Sequence, residues 1–198
     1  MVNLQHRDSS GPAFWDERFE QAVTPWDRAG VPNALRQFVA QAKQPLTTLI
    51  PGCGVGYEVA MFVEAGWDVT AIDFSPAAVE AARHALGPWG ARVQQADFFT
   101  FAPPRPLALI YERAFLCALP PVLRPAIAAR WAELLPAGAL LAGYFFFDDT
   151  RGGPPFGIGV EQLRTLLEPN FEQIEDSPVD DSIPVFVGKE RWQAWRRR

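Results

Sequence analysis

From residue 46 onward short apolar runs alternate with longer amphipathic stretches, a pattern that predicts an α/β fold on a mostly parallel sheet. LTTLI (46–50) is the first expected strand, followed by a helix over EVAMFVEAG (58–66) and a second strand over DVTAID (68–73). Ser75 is a good N-cap and Pro76 suits the first helical position. The next helix therefore starts there, aligns Val79, Ala82 and Leu86, and ends at Gly87. RVQQA (92–96) and LALIY (107–111) supply the third and fourth strands. Pro125 opens a helix in which Ile127, Trp131 and Leu134 align before Gly138, and ALLAGYFFF (139–147) is the most strand-like run of all. Segments near FEQIED and IPVFVG offer a closing hairpin.

Ahead of residue 46 the period changes. PAFWDERFEQAV and NALRQFVAQA read as two amphipathic helices joined by TPWDRAGVP, with Phe14, Trp15 and Phe19 on one and Leu35, Phe38 and Val39 on the other. Standing before the first strand, they are candidates for a cover over the sheet's carboxyl edge or for an extra packing layer. The expected organisation is a single domain over 1–198, with 1–45 as a helical lid and 46–198 as a cofactor-binding core.

The 198 residues suffice for one full core, and 48% hydrophobic with 21% charged content describes a soluble globular chain. No apolar run approaches the roughly 20 residues that cross a bilayer. MVNLQHRDSSGPAF has no apolar h-region, so a cytoplasmic protein without membrane association is expected. Cys53, Cys117, His6 and His84 form neither a disulfide framework nor a ligand cluster, and no metal is expected. A net charge of −5 argues against a nucleic-acid partner. The basic end RWQAWRRR reads as a short solvated terminus, with a grip on an RNA strand as the rival reading.

The candidate chemistry begins at LIPGCGVGYE (49–58), where Gly52, Gly54 and Gly56 break an apolar run. A dinucleotide fingerprint starting at Gly52 needs glycine at Tyr57, and one starting at Gly54 needs it at Val59; a P-loop is absent. Alternating glycines followed by Asp73 at the second strand's tip suit S-adenosylmethionine better. That cofactor has no phosphate, and a tip carboxylate can accept from both ribose hydroxyls. Asp97 and Phe98 at the tip of the third strand can accept from an adenine amino group and pack on the base. Cys53 reads as a small residue in a tight turn and Cys117 as core.

The stretch GCGVGYEVAMFVEAGWDVTAIDFSPAAVEAAR resembles the first two motifs of the class I S-adenosylmethionine-dependent methyltransferases. FWDERFEQAVTPWD, PGCG and GGPPFGIGVEQLRTLL resemble the thiopurine S-methyltransferase family, with its thiol and halide methyltransferase members, over roughly residues 12–195. The resemblance implies a Rossmann-like three-layer sandwich whose seven-stranded, mostly parallel sheet has an antiparallel last strand. It implies Trp15, Phe19, Trp26, Pro51, Gly52, Gly54, Asp73, Phe74, Asp97, Phe98 and Glu112 as cofactor contacts, with Arg113 at the substrate edge. Tyr144, Asp148 and Arg151, after the fifth strand, are further substrate-side candidates, a solvated loop being the other reading of the last two. The implied reaction is methylation of a small molecule, a thiol or related soft nucleophile, by in-line attack on the sulfonium methyl, with S-adenosylhomocysteine as product and a monomer or weak dimer as the acting species. No Ser-His-Asp, Cys-His or paired-carboxylate arrangement stands out, which fits a nucleophile that needs no strong base. An NAD-type Rossmann oxidoreductase and a non-catalytic cofactor-binding module are the alternatives.

Overall fold

The computed structural model describes residues 4–149 and 152–198. The strands are β1 (Thr47–Pro51), β2 (Asp68–Asp73), β3 (Val93–Gln95), β4 (Leu109–Arg113), β5 (Leu140–Phe146), β6 (Phe171–Pro178) and β7 (Glu190–Arg197). The helices are α1 (Pro12–Glu20), α2 (Asn33–Gln41), α3 (Tyr57–Glu64), α4 (Pro76–Leu86), α5 (Arg124–Leu134) and α6 (Val160–Leu167). All strands join one sheet in the order β3-β2-β1-β4-β5-β7-β6. Pairing is parallel from β3 to β5, and β7 runs antiparallel to both of its neighbours. Strand order reverses beside β1, so a crevice opens beyond its carboxyl end between β2 and β4.

Local chemistry explains the elements that frame this crevice. Gly56, at φ +72°, takes the left-handed turn that starts α3. The Ser75 hydroxyl accepts the Ala78 N–H at 3.1 Å, and Pro76 opens α4 as expected. Apolar cores cover both sheet faces. Leu35, Phe62, Trp67, Tyr111, Tyr144 and Trp192 fill the one under α2, α3 and α4, while Trp131, Leu163, Phe171 and Trp195 fill the one under α5 and α6. No helix among the described residues is long and apolar enough to cross a membrane.

The two N-terminal helices have different jobs. α2 packs on the sheet face, with Leu35 fully buried and Phe38 against Trp67 and Trp192 at ring separations of 6.2 and 5.4 Å. α1 instead presents Phe14, Trp15, Arg18 and Phe19 to the crevice.

The chain end departs from expectation. IPVFVG is a turn whose Phe186 packs with Cys117 and Phe146, and β7 is the basic stretch expected to be solvated. Trp192 and Trp195 point to opposite faces of a strand paired on both sides and are 2% and 0% exposed. Its arginines meet acids of β6, Arg191 with Asp176 at 2.6 Å and Arg196 with Glu172 at 3.8 Å, and Arg197 donates to the carbonyls of Ala132 and Asn170. The run that reads as a solvated terminus, with a grip on RNA as the rival reading, is thus an inner strand of the sheet whose arginines are engaged by neighbouring acids and carbonyls.

Candidate active site

A cavity of about 750 Å³ occupies the crevice, walled by the glycine loop, the tips of β2 and β4, the segment after β3, and α1 with the turn that follows it. Gly52 and Gly54 have φ of +58° and +53°. A Cβ on Gly52 would stand 2.6 Å from the Phe115 ring, so the missing side chain makes room for an aromatic that sequence reading overlooked. Phe115 meets Phe98 edge-to-face at 5.0 Å, and Phe98 is buried. A Cβ on Gly54 would stand 3.6 Å from Phe19 of α1. The loop is therefore bare backbone facing two aromatic side chains, with Trp15 and Trp26 in edge contact at 5.3 Å beyond them.

Asp73 ends β2 at 7% exposure. Its Oδ1 accepts the Ser75 N–H at 3.0 Å and its Oδ2 accepts the Gly54 N–H at 3.1 Å. Burial pushes its pKa up to about 6 against the pull of the Ser75, Gly54 and Phe74 amides. Each oxygen accepts one such bond and keeps a lone pair for another, which is the donor demand of a vicinal diol. Asp97 is exposed, and its carboxylate accepts the Phe99 N–H at 2.9 Å, so it also shapes the turn that carries Phe98.

A charged group lies past the glycine loop. Arg113 Nε is 4.0 Å from Glu58 Oε1, the guanidinium stacks 4.7 Å from the Tyr144 ring centroid, and Nη1 and Nη2 are buried with no hydrogen-bond partner among the described residues. Glu58, Arg113 and Tyr111 all line the cavity. Burial raises the Glu58 pKa while Arg113 opposes the rise, and burial drives the Tyr111 hydroxyl well above its usual value. Two unsatisfied donors on a buried cation fit an anionic ligand group.

Of the residues singled out from sequence, the cavity brings together Trp15, Phe19, Trp26, Gly52, Gly54, Asp73, Phe74, Asp97, Phe98 and Arg113. It does not bring in Pro51 or Glu112. Pro51 is the last residue of β1. Glu112 is 1% exposed, and its Oε1 accepts the Phe115 and Leu116 N–H groups at 3.1 and 2.8 Å, so it ties down the loop after β4. Burial lifts its pKa to about 8 despite those amides. Tyr144 and Asp148 are likewise absent from the wall. The Tyr144 hydroxyl accepts the Ala34 N–H at 3.1 Å under α2, and Asp148 pairs with Lys189 at 2.6 Å. Arg151 lies outside the described residues. The Cys53 and Cys117 thiols line the cavity, and burial raises both far above the usual thiol range, against a role as nucleophile. Glu58, Phe115 and Arg28 are wall residues that the sequence reading missed, although the position of Glu58 two residues after Gly56 marked it as first-turn material.

Residues 10–198 match the thiopurine S-methyltransferase family. A probable thiol methyltransferase 2 of Arabidopsis thaliana is 32% identical over 203 residues, spanning 98% of this chain and 88% of the relative. A thiocyanate methyltransferase 1 of Brassica oleracea is 32% identical over 193 residues, spanning 92% and 84%. Among solved structures, magnesium protoporphyrin IX methyltransferase from Synechocystis PCC 6803, with bound S-adenosylmethionine, superposes with a TM-score of 0.73. That match is at 16% identity, covers 99% of this chain and 100% of the other, and is a likeness of fold.

Proposed function

The chain belongs to the thiopurine S-methyltransferase family, and we propose on that premise that it methylates the sulfur of a small thiol, or a related soft nucleophile, with S-adenosylmethionine as donor. The observation that carries this reading is Asp73, a buried carboxylate fixed by the Gly54 and Ser75 amides with acceptor capacity left over at the mouth of a bare glycine loop. Asp73 would hold the ribose hydroxyls, Phe98 the adenine, and the Nη donors of Arg113 an anionic end, while the Glu58 carboxylate beside it suits an ammonium. The cofactor supplies an electrophilic methyl carbon on a positively charged sulfur.

What the chain must then do is align and exclude. The indoles of Trp15 and Trp26, with Phe19, wall off water on the α1 side, and we assign the acceptor to the part of the cavity lined by Cys117, Phe186 and Pro154. No histidine lines the cavity among the described residues, and the Tyr111 hydroxyl holds its proton far above neutral pH. A thiol that ionises near pH 8.5 supplies its own anion, and such thiols stay reduced in a cytoplasm, the compartment we assign. Alignment in a dry site then supplies most of the rate.

The test is a panel of thiols of graded acidity, with a phenol, an amine and iodide as controls, each followed by S-adenosylhomocysteine release at saturating cofactor. The rate should rise with pH along each thiol's own ionisation curve. Faster turnover of the phenol or amine, or a profile indifferent to thiol acidity, refutes the soft-nucleophile assignment.

A further inference from the structure

Asp16 sits on α1 between the cavity-lining Trp15 and Phe19 and reaches away from the cavity onto α4. Its Oδ1 accepts the Ser75 hydroxyl proton at 2.6 Å and the Ala77 N–H at 3.1 Å. The Ser75 oxygen accepts from Ala78 N–H at 3.1 Å, and the Ser75 N–H donates to Asp73 at 3.0 Å. Ser75 thus joins the helix that carries the aromatics to the carboxylate at the tip of β2, its hydroxyl bonded to Asp16 and its backbone N–H to Asp73.

The chemistry favours this link over incidental packing. The first N–H groups of a helix have no partner inside it, and its N-terminus carries partial positive charge, so a carboxylate supplied from a second helix is held firmly there. Ser75 already caps α4 through Ala78, and Asp16 adds a cap on the neighbouring Ala77 while fixing the serine's rotamer. The turn that Asp16 grips is the same turn whose Ser75 amide orients Asp73. If α1 moves, that turn loses a charged partner; if the turn shifts, Trp15 and Phe19 lose their registration against Gly54 and Trp26.

We propose that Asp16 is a positioning residue, which couples the placement of the α1 aromatics over the cavity to the placement of the Asp73 carboxylate. The inference rests on the S-adenosylmethionine reading above. Its consequence is that cofactor affinity depends on a residue that lines no part of the cofactor cavity.

Calorimetry with S-adenosylhomocysteine on wild type, Asp16→Ala, Asp16→Asn, Asp73→Ala and the Asp16→Ala/Asp73→Ala pair tests it. Asp16→Ala should weaken binding by about tenfold, the scale of one charge-assisted hydrogen bond. Asp16→Asn keeps an acceptor oxygen and should recover most of the loss. In the Asp73→Ala background Asp16→Ala should cost clearly less than in wild type, because the share of its effect that runs through Asp73 is already lost. A helix cap that matters only for folding would lower the melting temperature of the unliganded chain and leave affinity alone. Unchanged affinity in Asp16→Ala, or a full tenfold loss persisting without Asp73, overturns the coupling. Should Asp16→Ala not fold, Ser75→Ala removes the hydroxyl that Asp16 accepts from and leaves Asp16 only the Ala77 amide; unchanged affinity in both Ser75→Ala and Asp16→Asn then overturns the coupling. A wild-type chain that binds no S-adenosylhomocysteine overturns the cofactor reading and this inference with it, whereas wild-type binding with an indifferent Asp16→Ala removes the inference alone.

Discussion

Asp73→Ala is the substitution whose effect can be worked out most fully. The carboxylate spends one lone pair of each oxygen on the Ser75 and Gly54 amides and keeps one on each, which the proposed function gives to a ribose hydroxyl. A hydrogen bond to a charged group contributes about 1.5 to 3 kcal/mol, so losing one weakens S-adenosylhomocysteine binding about tenfold and losing both exceeds a hundredfold. The proton adds a second handle. With its pKa pushed up to about 6, Asp73 is ionised in about one chain in ten at pH 5, and only the ionised form accepts from both hydroxyls. Wild-type affinity should therefore fall about tenfold between pH 8 and pH 5, while Asp73→Ala should show a flat profile over that range. Stability runs the other way. A carboxyl whose ordinary pKa of 3.8 is raised to about 6 by folding favours the unliganded fold most at low pH, and that contribution is lost as pH rises through about 6. Calorimetric titrations at four pH values, with urea melts of wild type and variant beside them, separate this from general acid unfolding, which would weaken binding and stability together. An affinity for Asp73→Ala within twofold of wild type, or a wild-type dissociation constant constant from pH 8 to pH 5, refutes the reasoning.

Gly52→Ala should cost about 1 to 3 kcal/mol in urea denaturation, because φ is +58° and the new methyl would stand 2.6 Å from the Phe115 ring; an unchanged midpoint would show that Phe115 yields freely. Trp195→Ala should cost about 3 to 5 kcal/mol, since the indole is fully buried in β7, whereas Arg196→Ala, on a half-exposed side chain in the same strand, should stay within about 0.5 kcal/mol. Comparable small losses for both would restore the picture of a solvated tail.

The parts of the fold legible in the sequence are those decided within a few residues. The Ser75-Pro76 start of α4, the left-handed glycines after β1 and the acid at the end of β2 are local devices, and each does in three dimensions what its neighbours in sequence imply. β7 was illegible because its arginines are satisfied by acids of β6, 15 and 24 positions away, and by the carbonyls of Ala132 and Asn170, and until the sheet assembles nothing distinguishes them from a solvated run. Phe115 was hidden for the same reason. Its place over Gly52 depends on a loop after β4 meeting a loop after β1, and neither stretch carries a sign of the other.

The case of β4 shows how small a shift can separate a wall residue from a supporting one. Reading the strand as 107–111 leaves Glu112 and Arg113 together in a loop, free to point the same way; the strand runs through Arg113, and alternation then sends them to opposite faces. Arg113 joins Tyr111 on the cavity side, stacked on Tyr144 with two buried donors unmet. Glu112 faces the other way, where burial lifts its pKa to about 8 and it holds the Phe115 and Leu116 amides. The two residues that the sequence resemblance places side by side at the site therefore do different things: the arginine keeps its charge toward the cavity, and the glutamic acid keeps the loop beside it in place. Because Phe115 is carried by that loop and fills the space Gly52 leaves open, Glu112 still bears on the Gly52 side of the cavity, but through an aromatic ring and a backbone turn, without lining the wall itself.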